Sequence, residues 1–207
     1  MPQARVIGDR VGPAVLTPRP DQDRAVRAAR RMFMAGERID MKRLASELDV
    51  DRSTLFRWVG NRDQLIVAVL MSLTDEPLRL AIDGARGVGG ARIAHAARLY
   101  SQTLIDTSSY RAFLQKETER ALRLTTTKAS PLQQHVVKVF EGLLRDEERR
   151  GAFTHAMASD DLAYLIVRVI ESFIYSDLIT GDDPDAGTAG LAIAALLRSD
   201  VVGDGST

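Results

Sequence analysis

A chain of 207 residues without cysteine is long enough for one sizeable helical core or for a small domain joined to a larger one, and it excludes a disulfide framework and a thiolate metal site. No apolar run reaches the roughly 18 residues that span a bilayer, and the N-terminal residues lack the basic-then-apolar order of a secretory leader, so a soluble cytoplasmic protein is expected. The formal charge of zero hides a division: residues 1–74 carry 13 Arg and Lys against 9 Asp and Glu, leaving 15 against 19 for the rest. The basic segment is the one that would face a polyanion.

Residues 1–20 hold Pro2, Gly8, Gly12, Pro13, Pro18 and Pro20 with no apolar period, which predicts an arm without regular structure. Its Arg5, Arg10 and Arg19 suit either a minor groove or a plain leader. From Asp21 to Ala35, Ala25, Val26, Ala29, Met32 and Phe33 recur at steps of three and four, predicting an amphipathic helix that Gly36 ends. A second helix is expected over Met41–Leu48 with Asp40 as its cap, and a third from Asp51, again a cap, to about Trp58. Gly60 and Asn61 end the third and open a fourth that reaches Ser72 or beyond. Further helices are predicted over 91–106, 109–124, 131–150, 160–179 and 185–198. Gly87, Gly89 and Gly90 read as a flexible joint, Glu147 and Glu148 as a solvated helix end, and residues 201–207 as a disordered tail. No stretch alternates like a strand for long, so the expected class is all-α, divided into a domain over 21–74 and a larger one over 75–200.

Within the second and third helices, Leu44, Ala45 and Leu48 share one face and Leu55 and Val59 share another, so the two faces pack together. Asp49-Val50-Asp51 is a three-residue joint, which is the spacing of a helix-turn-helix. With Leu55 and Val59 turned inward, the third helix presents Arg52, Ser53, Phe56 and Arg57, side chains able to reach base edges.

The run LASELDVDRSTLFRWVGNRDQL, from Leu44 to Leu65, resembles the TetR family of bacterial transcriptional regulators. Two positions depart from that pattern: Asp49 stands where a glycine is usual, which suggests a left-handed turn residue, and Phe56 where a tyrosine is usual. The resemblance implies a DNA-binding set of Lys42, Arg52 and Ser53 at bases or groove, Thr54 beside them, Phe56 against thymine methyls, and Arg57, Trp58 and Arg62 at phosphates. Trp58 read as a half-buried packing residue and Arg62 as a solvated charge are the alternatives. The resemblance further implies a repressor on a double-stranded DNA operator, a small-molecule effector bound by the larger domain, and a homodimer formed through the last two helices.

For the dimer there are grounds in the residues themselves. Leu162, Leu165, Ile166, Val169, Ile170, Phe173, Ile174 and Leu178 occupy nearly the whole circumference of one helix, which must be covered all round. Ala189, Gly190, Ala192, Ala194 and Ala195 permit close helix approach in the next, though an ordinary monomer core would use both helices equally well. Candidate effector contacts are Glu171 and Tyr175, one turn apart, with Tyr100, Tyr110, Phe113 and Glu117 from earlier helices. The segments SYRAFLQKETERALRL and ESFIYSDLITGDDPD resemble a subgroup that senses lactone-type signals, without naming a ligand. No catalytic constellation is present: His95, His135 and His155 are isolated, and no phosphate loop or nucleophile elbow occurs, so neither an enzyme nor a cofactor is expected. A helical adaptor whose small domain serves protein contacts is the remaining alternative.

Overall fold

Short polar caps start the helices of the small unit, because the first amides of a helix have no partner within it. The computed structural model describes residues 20–198, so the expected arm, apart from Pro20, and the expected tail lie outside the described residues. In chain order the helices are α1 (Pro20–Met34), α2 (Met41–Glu47), α3 (Arg52–Val59), α4 (Arg62–Asp83), α5 (Gly90–Asp106), α6 (Ser108–Lys116), α7 (Thr118–Thr126), α8 (Pro131–Arg149), α9 (Ser159–Ile174), α10 (Ser176–Ile179) and α11 (Ala186–Leu196). No strand occurs among the described residues. Asp40 accepts the Arg43 amide at 2.8 Å and Asp51 the Thr54 amide at 2.8 Å. Asn61 and Gln64 form a reciprocal capping box at the start of α4.

The apolar face of α1, with Ala25, Ala29, Met32 and Phe33 buried, packs on α3 and α4, and Leu44, Leu55, Leu65 and Ile66 complete a core with no more than 1% exposure at those four positions. Burial of each such leucine or isoleucine is worth roughly 1.5–3 kcal/mol. Asp49 sits at φ 54°, the left-handed turn its position suggested, and is the one non-glycine residue with positive φ among those described. The small unit and the larger one share a helix: α4 runs unbroken from Arg62 through Pro77 to Asp83.

Several sequence expectations change in the larger unit. The helix predicted over 109–124 is two, parted at Glu117 with φ −138° and ψ 44°, and the one over 160–179 breaks at Tyr175. The glycine joint is a fixed turn rather than a flexible one. Gly89 has φ 57°, and a Cβ there would strike the Ala152 carbonyl oxygen. Its amide donates to Glu147 at 2.8 Å, and Glu147 also takes Arg92 at 2.7 Å. Glu147 is therefore a buried clasp, 1% exposed, and not a solvated helix end.

The small residues of α11 pack within the protomer. Ala186, Ala189, Gly190 and Ile193 are buried, and a Cβ on Gly190 would lie 2.9 Å from the Arg98 Cβ on α5. The opposite side of α11 leaves Leu191 70% exposed. On α9 the circumference is covered only in part: Leu162, Ile166, Ile170 and Ile174 are buried, while Leu165, Val169 and Phe173 form a half-buried stripe beside exposed Tyr164.

Candidate nucleic-acid interface and effector cavity

Packing α3 through Leu55 and Val59 turns Arg52, Ser53, Phe56 and Arg57 to the outside. Phe56 is 40% exposed, an apolar aromatic residue on the outward face of the helix. Ser53 and Thr54 both donate to the cap, Ser53 Oγ to Asp51 Oδ1 at 2.5 Å and Thr54 Oγ1 to Asp51 Oδ2 at 3.1 Å. The Ser53 hydroxyl first, then the Thr54 amide and hydroxyl, hold the Asp51 carboxyl down at about 2. Arg57 donates to Thr54 Oγ1 at 3.1 Å, which lays it along the same helix face. Lys42 and Arg52 are exposed and make no ion pair or side-chain hydrogen bond among the described residues. Trp58 is half-buried against the core, so packing holds its ring.

Arg62 is placed differently from the phosphate contact expected of it. Both of its terminal nitrogens donate to Glu117, one at 2.6 Å to Oε2 and the other more closely to Oε1, and its Nε donates to the Ile39 carbonyl at 2.6 Å. The two side chains are 16% and 9% exposed. A guanidinium with three donors engaged in a half-dry site is a structural cross-link, and the solvated-charge alternative fails for the same reason. Burial alone would raise the Glu117 carboxyl, but the hydrogen bonds from Arg62 and Arg120 outweigh it and hold the group below its ordinary range.

Glu117 and Phe113 consequently leave the expected effector set. Phe113 meets Phe33 of α1 with ring centroids 5.6 Å apart, so both residues belong to the seam between the units. The other four candidates do come together. Tyr110 and Tyr175 join hydroxyl to hydroxyl at 2.6 Å, and with Tyr100 and Glu171 they line a void of about 30 Å³. Burial pushes the Glu171 carboxyl up to about 7 against the lowering effect of Arg168, 2.5 Å away, and of Gln133, 3.2 Å away.

A larger cavity, about 260 Å³, adjoins that void and shares Tyr100, Leu104, Tyr110 and Leu132 with it. The rest of its wall is apolar through Phe33 and Met34 of α1 and Leu70, Leu73 and Pro77 of α4, and polar or charged through Arg30, Thr74, Glu76, Thr107 and Ser109. The sequence reading missed the α1 and α4 contributions. Their apolar residues followed the helical period of the core, which gives no sign that one end of the stripe faces open space.

A family model described as tetracyclin repressor-like, C-terminal domain, matches residues 88–198, more than half of the chain. The chain belongs to the TetR family. Among solved structures, the transcriptional repressor QsdR of R. erythropolis, described as a TetR-family protein, is 29% identical with a TM-score of 0.79, over 86% of this chain and 94% of that one. A TetR-family transcriptional regulator of Pectobacterium atrosepticum shares the fold at 18% identity and a TM-score of 0.60, over 86% and 90% of the two chains. The fatty acid degradation regulator FadR of Bacillus halodurans does so at 13% and 0.54, over 90% and 98%. No curated protein sequence matches the chain. As a TetR-family member the protein is a DNA-binding transcriptional regulator and not an enzyme, all-helical, with an N-terminal helix-turn-helix and a C-terminal domain. Regulators of this family bind DNA operators and dimerise, and no described helix is long and apolar enough to cross a membrane.

Proposed function

We propose that this TetR-family protein is a homodimeric cytoplasmic repressor, released from its operator by a small molecule bound in the larger domain. The observation that carries the reading is the joint placement of the α3 face and the 260 Å³ cavity: α1 packs on α3 with one face and lines the cavity with Phe33 and Met34 at its end. A molecule filling the cavity therefore touches a helix on which the recognition helix rests, and it shifts DNA affinity by as much as it prefers one placement of α1 over another. Residues 21–74 supply DNA binding and one side of the cavity wall, and 75–200 the rest of the effector site and pairing. Lys42, Arg52, Ser53, Thr54 and Phe56 are the groove contacts, and Arg57 and Trp58 lie toward phosphates.

The partner surface is the stripe of Leu165, Val169 and Phe173 on α9 with Leu191 on α11, apolar residues that the protomer leaves partly open. Light scattering on the purified chain is expected to give twice its 22.7 kDa. A species of 22.7 kDa at micromolar concentration would remove the two-fold operator from the reading.

The decisive test is selection of a duplex from random DNA followed by gel-shift titration, with and without extracts of small molecules. Arg52→Ala is expected to cost about 1–3 kcal/mol on the selected duplex and much less on random DNA. Equal loss on both duplexes would make Arg52 a phosphate contact, and no loss on either would take α3 out of the groove.

A further inference from the structure

The charges and hydroxyls around the effector cavity select a ligand class. At the mouth Arg30 and Glu76 are exposed, with Arg30 donating to the Ser72 carbonyl at 3.4 Å and Glu76 paired with Arg79. Beyond the wall formed by Tyr100 and Tyr110, the two oxygens of Glu171 are held by Gln133 and Arg168. Arg30 has no counter-ion among the described residues but stands exposed at the mouth, and none of the buried side chains that line the cavity is charged. A charged group drawn in among those buried side chains would lose its water and gain no counter-ion.

The hydroxyls are occupied with one exception. Tyr110 and Tyr175 bond each other at 2.6 Å, and Thr74 donates to the Leu70 carbonyl at 2.7 Å. Tyr100 is 5% exposed and lines both the cavity and the void, yet its hydroxyl makes no hydrogen bond among the described residues. The Tyr100 hydroxyl oxygen is not fully enclosed, and a donor that keeps open surface with no protein partner marks a place where a ligand oxygen would replace water. At about 30 Å³ for each water-sized group, the cavity takes roughly nine such groups.

We infer that the effector is an uncharged, mainly apolar molecule of roughly nine non-hydrogen groups, bearing one oxygen that accepts a hydrogen bond from the Tyr100 hydroxyl. The inference rests on the reading of this cavity as the effector site and adds to it the charge, size and anchoring atom of the ligand.

The probes are a matched set of eight-carbon molecules, octan-2-one and octan-1-ol as neutral members, octanoate as the anion and octylammonium as the cation, titrated calorimetrically into the full chain. Both neutral probes are expected to bind, with each ion at least about tenfold weaker. Tyr100→Phe keeps the ring and is expected to weaken the ketone and the alcohol about tenfold, the effect of one hydrogen bond. Its melting temperature should stay unchanged, since the hydroxyl has no protein partner to lose, whereas a structural role would lower it. Leu104→Trp fills the cavity and should abolish binding of all probes, with Thr107→Trp at the rim as the check should the first variant fail to fold. Octanoate or octylammonium binding as tightly as the ketone, or Tyr100→Phe binding the ketone unchanged, would overturn the proposed class. If such binding is still blocked by Leu104→Trp or Thr107→Trp, the effector-site reading survives that failure. Binding of no probe, or binding that neither tryptophan affects, overturns both.

Discussion

Glu117→Ala is expected to lower the unfolding free energy by about 3 kcal/mol, the loss that follows when one partner of a buried ion pair is removed. The carboxylate is 9% exposed and receives Arg62 through both terminal nitrogens and Arg120 at 2.8 Å. Without it the Arg62 guanidinium keeps a single acceptor, the Ile39 carbonyl, in a site that water reaches poorly. Glu117→Gln retains an acceptor of the same shape and should cost about half as much. Urea unfolding followed through the single tryptophan, Trp58, reads both values, since that ring rests on the core of the small unit. Arg62→Ala combined with Glu117→Ala should cost less than the sum of the two, because the bonds between Arg62 and Glu117 are lost in either single change. Additive losses would show that the two groups stabilise the fold separately.

The same pair connects the two proposed activities. Arg62 lies in the first turn of α4, directly after the helix-turn-helix, and Glu117 ends α6, whose Ser109 and Tyr110 line the cavity. Arg120 and Arg123 extend the seam by pairing with Asp63. Glu117→Ala is thus also expected to reduce the difference in DNA affinity between effector-bound and effector-free protein, while the operator contacts on α3 remain.

The second large effect concerns pH. The Glu171 carboxyl titrates at about 7 in the folded protein against 4.5 for the free side chain. Below pH 4.5 both folded and unfolded chains hold the proton, and the group adds nothing to pH dependence. Between 4.5 and 7 the unfolded chain releases it while the folded one keeps it, so stability falls as pH rises, and above 7 the loss is complete. Its size is on the order of 3 kcal/mol. Burial is the cause, and the cation of Arg168 only moderates it. Glu171→Gln removes the titration and keeps a hydrogen-bonding group beside Gln133. The variant should match the parent near pH 4 and exceed it by about 2–3 kcal/mol at pH 8, measured by urea midpoints across that range. A variant less stable than the parent at pH 8 would mean that the Arg168 pair outweighs desolvation and that the carboxylate is charged throughout.

What the sequence by itself determined was local in origin. The helix-turn-helix follows from apolar residues three and four positions apart, from Asp40 and Asp51 three residues before the amides they cap, and from a turn whose Asp49 stands at positive φ. Such signals span a single helical turn, so the all-helical class and the outward face of α3 were legible from Met41 to Val59. The tertiary structure decided everything that depends on distant partners. Arg62 and Glu117 are 55 positions apart, and Tyr110 and Tyr175 are 65 apart. Nothing in the local pattern around Arg62 separates a phosphate anchor from half of a buried ion pair, since an arginine in the first turn of a helix suits both. The break at Glu117 is equally unreadable, because no proline or glycine marks it and the partner its carboxylate meets there lies on another helix. Among the six expected effector residues, periodicity placed Glu171 and Tyr175 in a buried helix and Phe113 and Glu117 on a common face, but only the packing of α1, α4, α5, α6, α8 and α9 decided which faced open volume. Tyr100, Tyr110, Glu171 and Tyr175 did, and Phe113 and Glu117 closed the seam to the DNA-binding unit instead.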